Sequence, residues 1–168
     1  MFIFLQRVFF FPLKARMKAL LSTPKYWEMC QHEFTRPRNP HILSDVYDGT
    51  AWKSFMGECT YPNRRLGLLA CGDGWPVFEA NTLSLTPWMF QNLSLPPAAR
   101  IKPKYILLYW LFDQGIKQEQ QRKYFDFAAS YELNDLYDNG IDGVKVKVFT
   151  ATLDTKGREE VSGTFVCQ

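Results

Sequence analysis

A chain of 168 residues, 46% hydrophobic and 22% charged, is long enough for one domain with a real core. With 16% aromatic residues it is neither a disordered tail nor a coiled coil. The net charge of +3 is unevenly spread: residues 1–65 hold ten Lys/Arg against five Asp/Glu, and 66–168 hold ten against twelve. A basic front and a slightly acidic back suit a polyanion-facing surface followed by an acidic site, and an unevenly charged solvated surface gives the same count.

Residues 1–13 are apolar, but Arg7 interrupts them, and Lys14, Arg16 and Lys18 follow the run instead of preceding it. That order is wrong for a signal peptide, and the run is shorter than the roughly 20 residues of a membrane span. A soluble, packed segment is expected. Leu13, Met17, Leu20 and Leu21 recur at helical spacing, and Thr23-Pro24 reads as an N-cap with proline in the first turn of a second helix over 25–33. Residues 35–40 form a basic, extended linker. Asp48 is the expected cap of a third short helix holding Trp52 and Phe55. His32 and His41 read as surface residues. Cys30, Cys59, Cys71 and Cys167 have no C-x-x-C spacing and no histidine at ligand distance, which excludes a zinc finger within these residues and a disulfide framework. Reduced thiols of an intracellular protein are the default.

From Leu66 the pattern changes to strand. Leu66-Gly67-Leu68-Leu69-Ala70-Cys71-Gly72 is a short apolar run ending on Asp73-Gly74. Residues 81–92 alternate apolar and polar, Leu95-Pro96-Pro97 is a turn, and 104–112 is a strongly apolar third strand. Residues 118–137 read as a helix with Tyr124, Phe127, Ala128, Tyr131 and Leu133 on one side. Residues 138–143 are a turn; they partly fit a calcium loop, but Phe149 stands where that loop needs glutamate. A last strand, 144–153, ends on Asp154, and 157–161 begin another helix.

The order is a basic helical segment, 1–62, followed by β-β-β-α-β over 63–168. It is the order of the opening half of a ribonuclease-H-like α/β fold, in which the crossover returns the fourth strand parallel to the first. Asp73 and Asp154 would then end neighbouring strands, where two carboxylates repel unless a cation lies between them. The alternative is structural: Asp73 a turn residue in Gly-Asp-Gly, Asp154 a helix cap before Thr155-Lys156-Gly157.

Several segments resemble the CACTA (En/Spm-like) DDE transposase family. Asp45-Val46-Tyr47-Asp48-Gly49-Thr50-Ala51-Trp52-Lys53 is similar to its D-[IV]-Y-D-G-x-x-W-K segment. Leu66 to Asp73-Gly74, together with Leu85 to the Asn92-Leu93-Ser94-Leu95-Pro96-Pro97 turn, resembles its first-aspartate strand and the residues leading into its N-L-P-P turn. Asp154 to Val161-Ser162-Gly163 resembles the second-aspartate segment, and Phe10-Phe11-Pro12-Leu13-Lys14 also looks familiar. The chain departs from the family at Lys145 and Lys147, where an apolar run is usual, at Thr155-Lys156-Gly157, and at Phe112-Asp113-Gln114-Gly115.

The resemblance implies the N-terminal part of a catalytic region that cuts and joins DNA by two-metal phosphoryl transfer. Asp73 and Asp154 would be catalytic acids and ligands of Mg²⁺ or Mn²⁺. Transposon-end DNA and the remainder of the transposase chain would be the partners, and the nucleus of a eukaryote the location. Arg36, Arg38, Lys53, Arg64 and Arg65 are the expected DNA contacts. The third acid, a downstream glutamate, is not in the sequence, so the fragment is expected to be inactive alone. A non-enzymatic remnant serving as a DNA-binding or protein-interaction module is the alternative, and an unrelated small α/β protein with structural aspartates the third.

Overall fold

The computed structural model describes residues 7–39, 41–57, 62, 64–72, 75–76, 84–113, 116 and 118–152. Runs rich in Val, Leu and aromatic residues become strands: β1 (Val8–Phe10), β2 (Arg65–Gly72), β3 (Trp75–Pro76), β4 (Ser84–Asn92), β5 (Leu107–Asp113) and β6 (Lys145–Thr152). They form one mixed sheet in the order β1-β5-β4-β2-β6, with β3 paired to the outer end of β4. All neighbours are antiparallel except β2 and β6, which run parallel. The chain is therefore α/β, as expected.

The helices are α1 (Leu13–Leu21), α2 (Pro24–Met29), α3 (His32–Thr35), α4 (Thr50–Met56), α5 (Pro97–Arg100), α6 (Gln118–Ala128) and α7 (Asn134–Asp138). Alternation along β2 divides the interior into two clusters. Leu66, Leu68 and Ala70 join the larger one with Leu13 and Met17 of α1, Tyr26 of α2, Phe125 of α6 and Leu136 of α7. Leu69 instead packs against the smaller one, made by Tyr47, Trp52, Met56 and Leu93. Gly67 lies directly beneath α4, because a Cβ there would fall 2.6 Å from the Trp52 ring. Helices α1 and α2 thus pack into the same core cluster as the sheet.

Several expectations need correction. β1 was not foreseen, since three residues are too few to show alternation; it extends the sheet by pairing with Trp110, Leu111 and Phe112. The second helix breaks at Cys30 and resumes as α3. Thr23 stands at the cap position of α2, but its hydroxyl donates back to the Ala19 carbonyl. Asp48 does not cap α4, whose cap is Gly49; it closes a 3-10 turn, Val46–Asp48, that Asp45 caps.

The long helix is interrupted by a π turn, Ala129–Leu133. Its buried side is Gln121, Phe125 and Ala128, whereas Tyr124, Phe127 and Tyr131 are exposed. The turn before β6 is as expected. Asp142 (φ 49°) and Gly143 (φ 81°) form the left-handed pair of a tight turn bridged by Ile141 and Val144. Residues 157–161, read as a further helix, lie outside the described residues. No described helix is long and apolar enough to cross a membrane.

Candidate functional site

Asp73 and Asp154 lie outside the described residues, so their side chains have no described position. What is described is the pair of strands leading to them. β2 and β6 pair in parallel from Arg65↔Lys145 to Cys71↔Thr152, with one irregularity between Leu68 and Leu69 that leaves Phe149 as the extra residue on β6. Asp73 follows Cys71 by two positions, and Asp154 follows Thr152 by two. The end of β2 is fitted tightly: a Cβ on Gly72 would lie 2.8 Å from the Trp88 ring on β4. Among the described residues no group of three or more His, Cys, Asp or Glu could hold a metal.

The segment Asp45–Lys53 proves to be a clasp around the Asn92–Leu95 turn. Asp45 receives a two-pronged bond from Arg100, Nη1 to Oδ1 at 2.7 Å and Nη2 to Oδ2 at 2.9 Å, with both side chains largely buried. The Arg100 Nε donates to the Leu95 carbonyl at 2.7 Å. Tyr47 donates its hydroxyl to the carbonyls of Leu93 (2.8 Å) and Leu95 (3.1 Å). Its ring is flanked by Arg36 and Arg100, whose guanidinium carbons lie 5.3 and 5.0 Å from its centroid. Trp52 donates Nε1 to Glu33 at 3.0 Å. On the other side of the turn, Asn92 donates to the Tyr26 hydroxyl and the Cys30 thiol and accepts from the Ser94 N–H.

Protonation follows from these contacts. Burial weighs against the charge on Arg100, but its bonds to Asp45 and its nearness to Tyr47 outweigh that and raise its pKa. Burial pushes the Cys30 thiol up to about 12, which keeps it out of nucleophilic work. Asp48 is held well below the usual carboxylate range by Arg36 first, then by the Ser44 and Asp45 N–H groups. A depressed carboxylate stabilises the fold above its unfolded pKa of about 3.9 and loses that contribution as pH falls towards its folded value. Asp48→Asn is therefore expected to flatten the acid limb of a stability–pH curve below about pH 4. Urea unfolding at stepped pH reads this directly, and an unchanged limb would contradict it.

The residues expected to contact DNA differ in how they are held. Arg36 is an internal tie: its side chain is 7% exposed and paired with Asp48, with Ser44 as a second partner. Arg38 is exposed and donates to the Glu33 carbonyl. Lys53 is exposed on α4. Arg64 reaches the Asp142 carbonyl at 3.4 Å, and Arg65 donates to the Met56 carbonyl at 2.8 Å, which anchors it to the end of α4. Sequence reasoning noted Lys145 and Lys147 only as departures. They alternate along β6 with buried Val146, the pattern of a strand with one wet face, and both lie near the Tyr137 ring.

Comparison with protein-family models, with curated proteins and with solved structures finds no match.

Proposed function

We propose that the chain is part of a ribonuclease-H-like, DDE-type core that cuts and joins DNA, with Asp73 and Asp154 as two of its acids. The observation that carries this reading is the parallel pairing of β2 and β6 up to Cys71↔Thr152. Continued by two positions, that register would set Asp73 opposite Asp154. The order β5-β4-β2-β6, with a helical crossover between β5 and β6, is also the order expected of such a fold. The interlock between Tyr47 and the Leu93 and Leu95 carbonyls adds support, because it joins two of the segments on which the family resemblance rests.

Two carboxylates at adjoining strand ends are hard oxygen donors, which suits Mg²⁺ or Mn²⁺ completed by substrate phosphate oxygens. Bound there, divalent cations supply the Lewis acidity that readies a water or a 3′-hydroxyl and eases departure of the leaving oxygen. The chain's own part is to fix the strand ends, and at β2 this is done by Gly72 packing against the Trp88 ring. Asp73 and Asp154 together are expected to bind the metal. Calorimetric titration with Mn²⁺ tests the reading. Binding lost in both Asp73→Asn and Asp154→Asn supports it; binding unaffected by either change overturns it and leaves a non-enzymatic remnant, serving in DNA binding or protein interaction, or an unrelated small α/β protein.

A further inference from the structure

Beside β6 lies a groove of about 720 Å³, between α4 and the end of α7. Its cations are Arg65, Lys145 and Lys147, its rings Phe55, Tyr137 and Phe149, and none of its described lining residues is acidic. The Lys147 ammonium lies 4.7 Å from the Tyr137 ring centroid and 6.0 Å from that of Phe55, and the Lys145 ammonium lies 5.9 Å from Tyr137. Tyr137 is 46% exposed, and Lys145 is also exposed. Lys145 is exposed and Lys147 half-buried, on a strand whose intervening residue, Val146, is in the core.

From this arrangement we infer that the groove binds single-stranded nucleic acid. A groove lined by lysines and by no described acidic residue attracts a polyanion. The rings decide which polyanion. An acidic peptide would use the lysines and leave Tyr137 and Phe55 without a matching partner. A duplex keeps its bases stacked on one another and offers only phosphates. An unpaired strand satisfies both features, its phosphates meeting Lys145 and Lys147 while an exposed base lies on Tyr137 in place of the lysine ammonium. The volume is that of a small-ligand site, enough for a short stretch of strand and no more. This binding needs neither Asp73 nor Asp154, so it stands or falls apart from the metal reading.

The test is fluorescence anisotropy with a labelled oligothymidine of about 12 nucleotides, within the range of known single-strand sites, in EDTA. The same strand in duplex form and polyglutamate serve as competitors. Lys145→Ala/Lys147→Ala is expected to weaken binding and to flatten the salt dependence by about 1.4 in log–log slope, for two released phosphate contacts. Tyr137→Ala is expected to lose about 5- to 150-fold, the range of one stacked base, whereas Tyr137→Phe keeps the affinity. Asp73→Asn is expected to bind as wild type. Circular dichroism melts establish that each variant is folded; if Tyr137→Ala is not, the Tyr137→Phe and double-lysine results decide the matter. Duplex or polyglutamate competing as well as the single strand, or Tyr137→Ala without effect in a folded protein, would overturn the inference.

Discussion

Arg100→Ala is expected to destabilise the fold by about 3–5 kcal/mol, the usual cost of leaving a buried charge without its partner. Asp45 is the group left behind, with its side chain only 6% exposed and its carboxylate still capping the 3-10 turn. The same change leaves the Leu95 carbonyl with Tyr47 as its remaining side-chain donor and removes one of the two cations against the Tyr47 ring. Urea unfolding should show a lower midpoint with an unchanged slope, because the loss is local and the folded surface the same. Arg100→Lys keeps the charge but not the two-pronged bond, so it should recover only part of the loss. A variant within about 1 kcal/mol of wild type would mean that the clasp is ornamental.

Trp52→Ala is expected to cost a similar amount, about 3–5 kcal/mol, as large aromatic deletions in a core do. Trp52 is 1% exposed, and its ring meets Tyr47, Phe55 and Phe149 at centroid distances of 5.2, 5.6 and 5.1 Å. Together with Phe55, it holds α4 against both β2 and the bulged residue of β6. Gly67→Ala approaches the same point from below: its Cβ would meet the Trp52 ring at 2.6 Å, an overpacking worth about 1–3 kcal/mol. The two changes share one space, so the double variant should be more stable than the sum of the single losses allows. Strict additivity in thermal or urea unfolding would contradict the close approach.

Much of the sheet was legible because its strands are short apolar runs bounded by glycine and proline. Arg65–Gly72, Leu107–Asp113 and Lys145–Thr152 fall close to where the sequence puts them. The parallel pairing of β2 and β6 was legible from element order alone, since a long helical connection permits a parallel return that a hairpin does not. The residues that the sequence groups on one side of this helix divide between core and surface, Ala128 being buried and Tyr124, Phe127 and Tyr131 exposed. A helix that bends through a π turn loses its period, so Leu136 comes to the core after the turn while Phe127 and Tyr131 stay outside, their rings 4.7 Å apart.

The clasp was hidden for another reason. Asp45 and Asp48 are equally good caps in sequence, and only the distant Arg100 and the nearby Arg36 decide which does what. Arg36 was read as a phosphate contact on charge alone, yet a cation beside an unseen carboxylate is often already spoken for. Lys145 and Lys147 carried the opposite signal: two charges at alternate positions of a strand mark its wet face.

The central claim is that one divalent cation is held jointly at the adjoining ends of β2 and β6. Paramagnetic broadening of amide resonances by substoichiometric Mn²⁺ reads this most directly, with Gly72 and Thr152, the last residues of β2 and β6, as the reporters. The expected result is that both amides broaden together at the lowest Mn²⁺ additions, and that neither does so in Asp73→Asn or Asp154→Asn. Broadening of one strand end without the other, or of neither, would mean that the two acids do not share an ion.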